Sequence, residues 1–207
     1  MAGERRGGVM TLWYLARAAG LVALIAFTAS TVLGALASSR SRPRSWAAID
    51  RRFLTQMAHR SAAITGLLAL LAHVGILVID SYVDVSVTGA VVPFTAGFAP
   101  FALGLGTLAT YAIVLAAVAG AARGRLAASA RAARTWRTVH VAAYLGWTLS
   151  MGHGLLAGTD TGAMWSTAVY ATCGIAVAVA VVIRLIGLDR AANQPLATAR
   201  RLTRSAS

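Results

Sequence analysis

Apolar residues fall into five long blocks, about 12–37, 61–79, 97–122, 138–157 and 161–183, separated by shorter polar stretches. A hydrocarbon layer of about 30 Å takes roughly 20 apolar residues wound as a helix, and each block approaches or exceeds that length. Backbone groups in lipid must bond internally, and the blocks lack the alternation of barrel strands, so the pattern predicts helices. The expected fold is all-α: a multi-pass membrane bundle of five helices over 12–183, with an outside tail over 1–11 and a basic cytoplasmic tail over 184–207.

The stretches between the blocks differ in kind. Residues 45–57 place Trp46, Ile49, Phe53 and Met57 at helical spacing among Asp50, Arg51 and Arg52, which predicts an amphipathic helix on the membrane surface. Residues 123–137 are similar but Ala-rich, whereas 83–95, with Gly89 and Pro93, predict a short irregular cap. The chain after Arg184 is expected to be mobile, and no long-period sequence repeat is evident. Ala35-Leu36-Ala37 resembles a signal-peptide cleavage site, but the preceding apolar block far exceeds the roughly 7–15 residues of a signal core.

Composition sharpens this picture. Hydrophobic residues make up 58% of the 207 and charged residues 12%, well outside the roughly 45–50% apolar share of soluble domains. The net charge of +13 comes from 19 basic residues, all Arg, against six acids. Sixteen of those arginines follow the first, third and fifth blocks; Arg5, Arg6 and Arg17 fall on the other side. The positive-inside rule then predicts a cytoplasmic C-terminus, an outside N-terminus and a cell-membrane location, with lipid headgroups rather than nucleic acid as the anionic partner. The single Cys173 excludes an internal disulfide, a CxxC pair and a cysteine-ligated cluster. There is no GxxxxGK loop, Rossmann fingerprint or HExxH, and the length leaves no room for a flavin or nicotinamide domain beside the bundle.

The candidate chemistry lies in four histidines, His59, His73, His140 and His153, in or at the mouth of the second and fourth blocks. Ionisable groups inside a membrane are costly and usually face the bundle interior. His59 and His73 are fourteen residues apart, which separates them by about 40° in azimuth and about 21 Å in height. The two blocks run in the same direction, so His140 comes level with His59 and His153 with His73. An imidazole on either side of a flat macrocycle is what a six-coordinate haem iron needs. His140 and His153 are only thirteen apart, a rotation of about 220°, so the fourth block must bend or overwind, which Gly146, Gly152 and Gly154 make feasible.

Other residues are candidates by position. Gly66 and Gly146, midway along each pair, offer space for a macrocycle edge. Arg60 and Arg137, beside or one turn from a histidine, and Arg17 in the outer end of the first block, offer partners for anionic propionates. Trp46 and Trp136 fit an inner aromatic belt, and Trp13, Tyr14, Tyr82 and Trp165 an outer one. Trp147, Met151, Met164 and Cys173 are expected to pack, and Asp80, Asp84 and Asp160 to end helices in solvent, the alternative being that they attract a cation or carry protons.

The pairs His59-x13-His73 and His140-x12-His153, with one span between, resemble the ferric reductase-like transmembrane domain of ferric reductases and NADPH oxidases. His59-Arg60-Ser61, Leu71-Ala72-His73, Asp80-Ser81-Tyr82 and Gly154-Leu155-Leu156-Ala157-Gly158-Thr159-Asp160 are similar to its short bacterial members. The resemblance covers about 12–183. It implies two b-type haems, the cytoplasmic one held by His59 and His140 and the outer one by His73 and His153. It also implies an electron-transfer subunit of an oxidoreductase, fed by a separate flavoprotein reductase or by quinol and serving an outer acceptor. The alternative is a transporter or channel using the histidines for protons or a transition metal; proton relays usually add an intramembrane acid, and no block contains one.

Overall fold

The computed structural model describes residues 2–37, 45–80, 85–126 and 129–205. Arg40, Arg42 and Arg44, and Ser81, Tyr82 and Asp84, lie outside them. Every described element is a helix: α1 (Ala2–Ala37), α2 (Trp46–Ile79), α3 (Val87–Val91), α4 (Pro100–Ala121), α5 (Arg123–Leu126), α6 (Ala130–His140), α7 (Ala142–Ala157) and α8 (Met164–Ser205).

Local chemistry sets several starts. Ser45, Ser86 and Ser129 are extended N-caps whose hydroxyls accept from the amides of Ala48, Gly89 and Ala132. Pro100, with no amide hydrogen to satisfy, opens α4 after Ala99 at φ 40°. The expected surface helix over 45–57 is continuous with α2, whose 34 residues span about 51 Å, well beyond a 30 Å layer. Within the expected irregular cap, α3 forms one short turn that is tied to α4, because Thr107 donates to the Ala90 carbonyl at 3.1 Å and the Tyr111 hydroxyl donates to that of Val91. The stretch after Arg184 continues as helix to Ser205.

Four helical segments are long and apolar enough to cross a membrane: Thr11–Ala37, Trp46–Ile79, Pro100–Ala121 and Met164–Gly187. The remaining expected span, 138–157, is divided at Val141, and its apolar part, α7, has 16 residues, about 24 Å. The count of five membrane-length helices therefore reduces to four among the described residues. Lipid is the natural neighbour of the side chains that point away from the bundle, such as Leu68, Leu71 and Ile175, all more than 60% exposed.

Two hairpins build the interior: α1 packs chiefly on α2 and α4 on α7, with α8 against α1. Small residues on α1 (Ala16, Ala23) and α4 (Ala102, Ala109) are buried and allow close helix approach. Between the hairpins sits a core of Ala23, Phe27, Ile113, Trp147, Cys173 and Val177, with Met151 packed against it. The Trp147 indole donates to the Thr28 hydroxyl at 2.8 Å, which itself donates to the Leu24 carbonyl at 2.7 Å. Trp147 and Cys173 are thus packing residues.

Candidate functional site

The four histidines meet in two pairs. The ring centroids of His59 and His140 are 6.2 Å apart with the planes at 72°, and those of His73 and His153 are 6.3 Å apart, again at 72°. At 6 Å the rings do not touch one another. A metal–imidazole bond of about 2.0 Å, with about 1.1 Å more from nitrogen to ring centre, places two trans imidazoles about 6.2 Å apart. Both pairs match that spacing.

Each ring is anchored in the same way. His59 Nδ1 lies 2.8 Å from the Ser30 carbonyl, His73 Nδ1 2.7 Å from that of Ala16, His140 Nδ1 3.1 Å from that of Ala116, and His153 Nδ1 2.8 Å from that of Ala102. A carbonyl only accepts, so each Nδ1 is the donor and, in the neutral ring, each Nε2 carries the free lone pair. This is the arrangement that fixes the tautomer and orientation of a metal-ligating histidine. His59 has one additional tether, the Ser30 hydroxyl at 3.0 Å.

A glycine lies four residues after every accepting carbonyl. A Cβ on Gly20 would come within 3.0 Å of the His73 ring, on Gly34 within 3.2 Å of His59, on Gly106 within 2.9 Å of His153 and on Gly120 within 3.4 Å of His140. The bare backbone lets the imidazole reach a carbonyl already engaged in its own helix. Ala16, Gly20, Ser30 and Gly34 on α1 correspond to Ala102, Gly106, Ala116 and Gly120 on α4 at a constant offset of 86 residues. The hairpins are thus a structural repeat carried by a handful of small residues, too few to appear as a sequence repeat. Gly20, Gly34, Gly106 and Gly120 are the positions that sequence reasoning missed, although the fourteen-residue interval in both helices matches that of His59 and His73.

The repeat also accounts for the thirteen-residue spacing. Gly66 lies seven residues after His59, but Gly146 lies six after His140, while both lie seven before the second histidine. The missing residue coincides with the break at Val141, where Tyr144 N–H reaches the Val141 carbonyl at 3.0 Å, a tightened turn. The distortion expected in this segment therefore falls at Val141 rather than at the glycines. Gly66 itself faces the Phe27 ring and Gly146 faces Ile113 and the Ala109 carbonyl, so both serve helix packing in this structure.

A cavity of about 510 Å³ opens around the His73–His153 pair, lined also by Gly20, Gly106, Phe27, Tyr170 and Ser166. That volume is in the usual range for a small-molecule or cofactor site. Arg17 and Asp160 line it and pair with each other, and the Arg17 guanidinium lies 4.4 Å over the Trp13 ring. Asp160 is therefore a charge partner as well as a partly exposed group, whereas Asp80, which does end α2, is buried rather than in solvent.

At the arginine-rich end, Arg60 and Arg137 are exposed. The arginines placed beside His140's neighbours are instead Arg123, against Trp136, and Arg184, on Tyr144. Arg184 donates to the Tyr144 hydroxyl at 2.8 Å. Trp136 stacks on His140, centroids 5.3 Å apart and planes at 18°, with Arg123 5.1 Å from the centre of its ring. No group of three or more His, Cys, Asp or Glu side chains suited to a metal ion occurs among the described residues. No family model matches the chain, and no curated protein or solved structure matches it.

Proposed function

We propose that the chain is a transmembrane di-haem cytochrome of b type that conducts electrons across the cell membrane, as its resemblance to the ferric reductase-like domain implies. In this reading His59 and His140 would hold the haem iron at the cytoplasmic, arginine-rich face, and His73 and His153 would hold the one at the outer face. The observation that carries it is the twofold recurrence of one geometry: paired rings 6.2 and 6.3 Å apart, each with Nδ1 tied to a carbonyl. Such a pair of imidazoles, each with its Nε2 lone pair free, would hold a haem iron.

The levels are fourteen residues apart along α2, about 21 Å, so two redox centres divide the hydrocarbon thickness into shorter steps. When bound, haem supplies the reversible one-electron couple of its iron. The chain's own groups hold the ligand tautomer, exclude water with the Phe27–Ile113–Trp147 core, and set the local charge at either end. The fifth crossing is made by α6 and α7 together, with the break at Val141 inside the haem-bearing region. Electrons enter from a separate flavoprotein reductase or from quinol and leave to an outer acceptor.

The direct test is the visible spectrum of the detergent-purified chain, oxidised and dithionite-reduced, with haem counted per chain after expression under ample haem supply. About two haems per chain with a b-type spectrum is expected. His73→Ala or His153→Ala should leave about one, as should His59→Ala or His140→Ala. A folded, colourless protein overturns the reading and makes proton or metal transport the leading account.

A further inference from the structure

The two histidine pairs share their spacing and tilt but not their surroundings. Against the His73–His153 pair the one nearby cation among the described residues, Arg17, is paired with Asp160. Beside the His59–His140 pair Arg123 lies against the Trp136 ring and Arg184 donates to Tyr144, one turn after His140, and neither is joined to a carboxylate among the described residues. Trp136 stacks on the His140 imidazole and has the Arg123 guanidinium 5.1 Å from its ring centre.

The indole N–H of Trp136 is shielded from solvent and meets no acceptor among the described residues. A buried donor left unmade typically costs about 1–3 kcal/mol, so its place beside a histidine and the Arg123 cation calls for an acceptor brought by a ligand. The acceptor that fits is a carboxylate: it takes an N–H bond, and its charge suits the cations. An aromatic face on the imidazole, meanwhile, restricts the rotation of His140 about its Cβ–Cγ bond.

Resting on the di-haem reading above, we propose that Trp136, Arg123 and Arg184 form the propionate-binding and ligand-positioning cluster of the cytoplasmic-side haem. Trp136 is a positioning residue for His140 and a donor to a propionate, and the two arginines neutralise that end. The sequence neighbours Arg60 and Arg137 do not fill this role. Cations beside a haem favour its reduced, less positive form, so loss of the Trp136 donor or of Arg123 lowers the midpoint potential of this site.

The experiment uses the full chain carrying His73→Ala, which isolates the cytoplasmic-side haem, with Trp136→Phe, Trp136→Leu, Arg123→Gln and, as a comparison, Arg60→Gln. Trp136→Phe keeps the stack and removes the donor; Trp136→Leu removes both. Expected are a lower midpoint potential in redox titration for Trp136→Phe and Arg123→Gln, a changed low-spin electron paramagnetic resonance spectrum for Trp136→Leu alone, and no change for Arg60→Gln. Haem-loaded Trp136→Phe and Arg123→Gln with the potential of the His73→Ala parent overturn the proposal even if Trp136→Leu does not fold. A parent chain without haem, judged beside the unsubstituted chain, overturns the di-haem reading instead.

Discussion

A glycine beside each imidazole sets two opposing effects against each other. Alanine is favoured over glycine in a helix by about 1 kcal/mol, whereas forcing an extra methyl into a packed contact costs about 1–3 kcal/mol. At Gly120 the added Cβ would sit 3.4 Å from the His140 ring, an ordinary contact, so Gly120→Ala should be neutral or slightly stabilising. At Gly106 the distance is 2.9 Å and the His153 ring, bonded to the Ala102 carbonyl, has nowhere to retreat without losing that bond. Gly106→Ala should lower the thermal midpoint and release the haem of that pair, and Gly20→Ala should do so to a similar degree. Melting curves with haem counts for the three variants check the order; equal behaviour of Gly106→Ala and Gly120→Ala would disprove the anchoring argument. Trp147→Phe removes the 2.8 Å bond to Thr28 from a buried site and should destabilise by about 1 kcal/mol, since Thr28 retains its own bond to Leu24.

Helix register is the next scale, and it divides what the chain announces from what it conceals. The pairing of His59 with His140 and His73 with His153 was legible because helical rise and rotation fix where residues on two parallel spans fall. The need for a distortion between His140 and His153 was legible for the same reason. Its site was not, because glycines invite bending in general whereas the structure deletes one residue's worth of helix at Val141. The anchoring glycines were hidden because a residue on α1 acquires its meaning from a ring on α2; Gly66 and Gly146, chosen on the histidine-bearing helices themselves, fill packing contacts instead. Arg123 and Trp136 were obscured likewise, since proximity along the chain favoured Arg60 and Arg137. Register makes a paired prediction. One alanine inserted after Gly66 rotates His59 against His73 by about 100° and should reduce the haem count from about two per chain to one. One alanine inserted after Val141 restores the fourteen-residue interval of α2, permits a continuous helix, and should leave both haems bound. Loss of a haem from the Val141 insertion would show that the break has some role beyond register.

For the whole molecule the decisive asymmetry is charge. Sixteen of nineteen arginines lie on one side of the expected spans, and retaining that side in the cytoplasm is favoured during insertion. In the proposed di-haem reading, the same asymmetry would decide which histidine pair meets a cytoplasmic reductase. The sole native thiol, Cys173, is buried in the core, so a Cys173→Ser background allows single cysteines to report on each side. Gly162 precedes α8 at the Arg17–Asp160 end and Thr135 lies on α6 at the arginine-rich end; both are exposed. In intact cells stripped of any outer wall barrier, a membrane-impermeant maleimide should label Gly162→Cys directly and Thr135→Cys only after permeabilisation. Labelling of both before permeabilisation would mean that α6 and α7 do not complete a crossing, since residues 135 and 162 would then share a side. The reverse pattern would invert the protein, put the Trp136–Arg123 cluster on the outer face, and require the electron donor to be sought there.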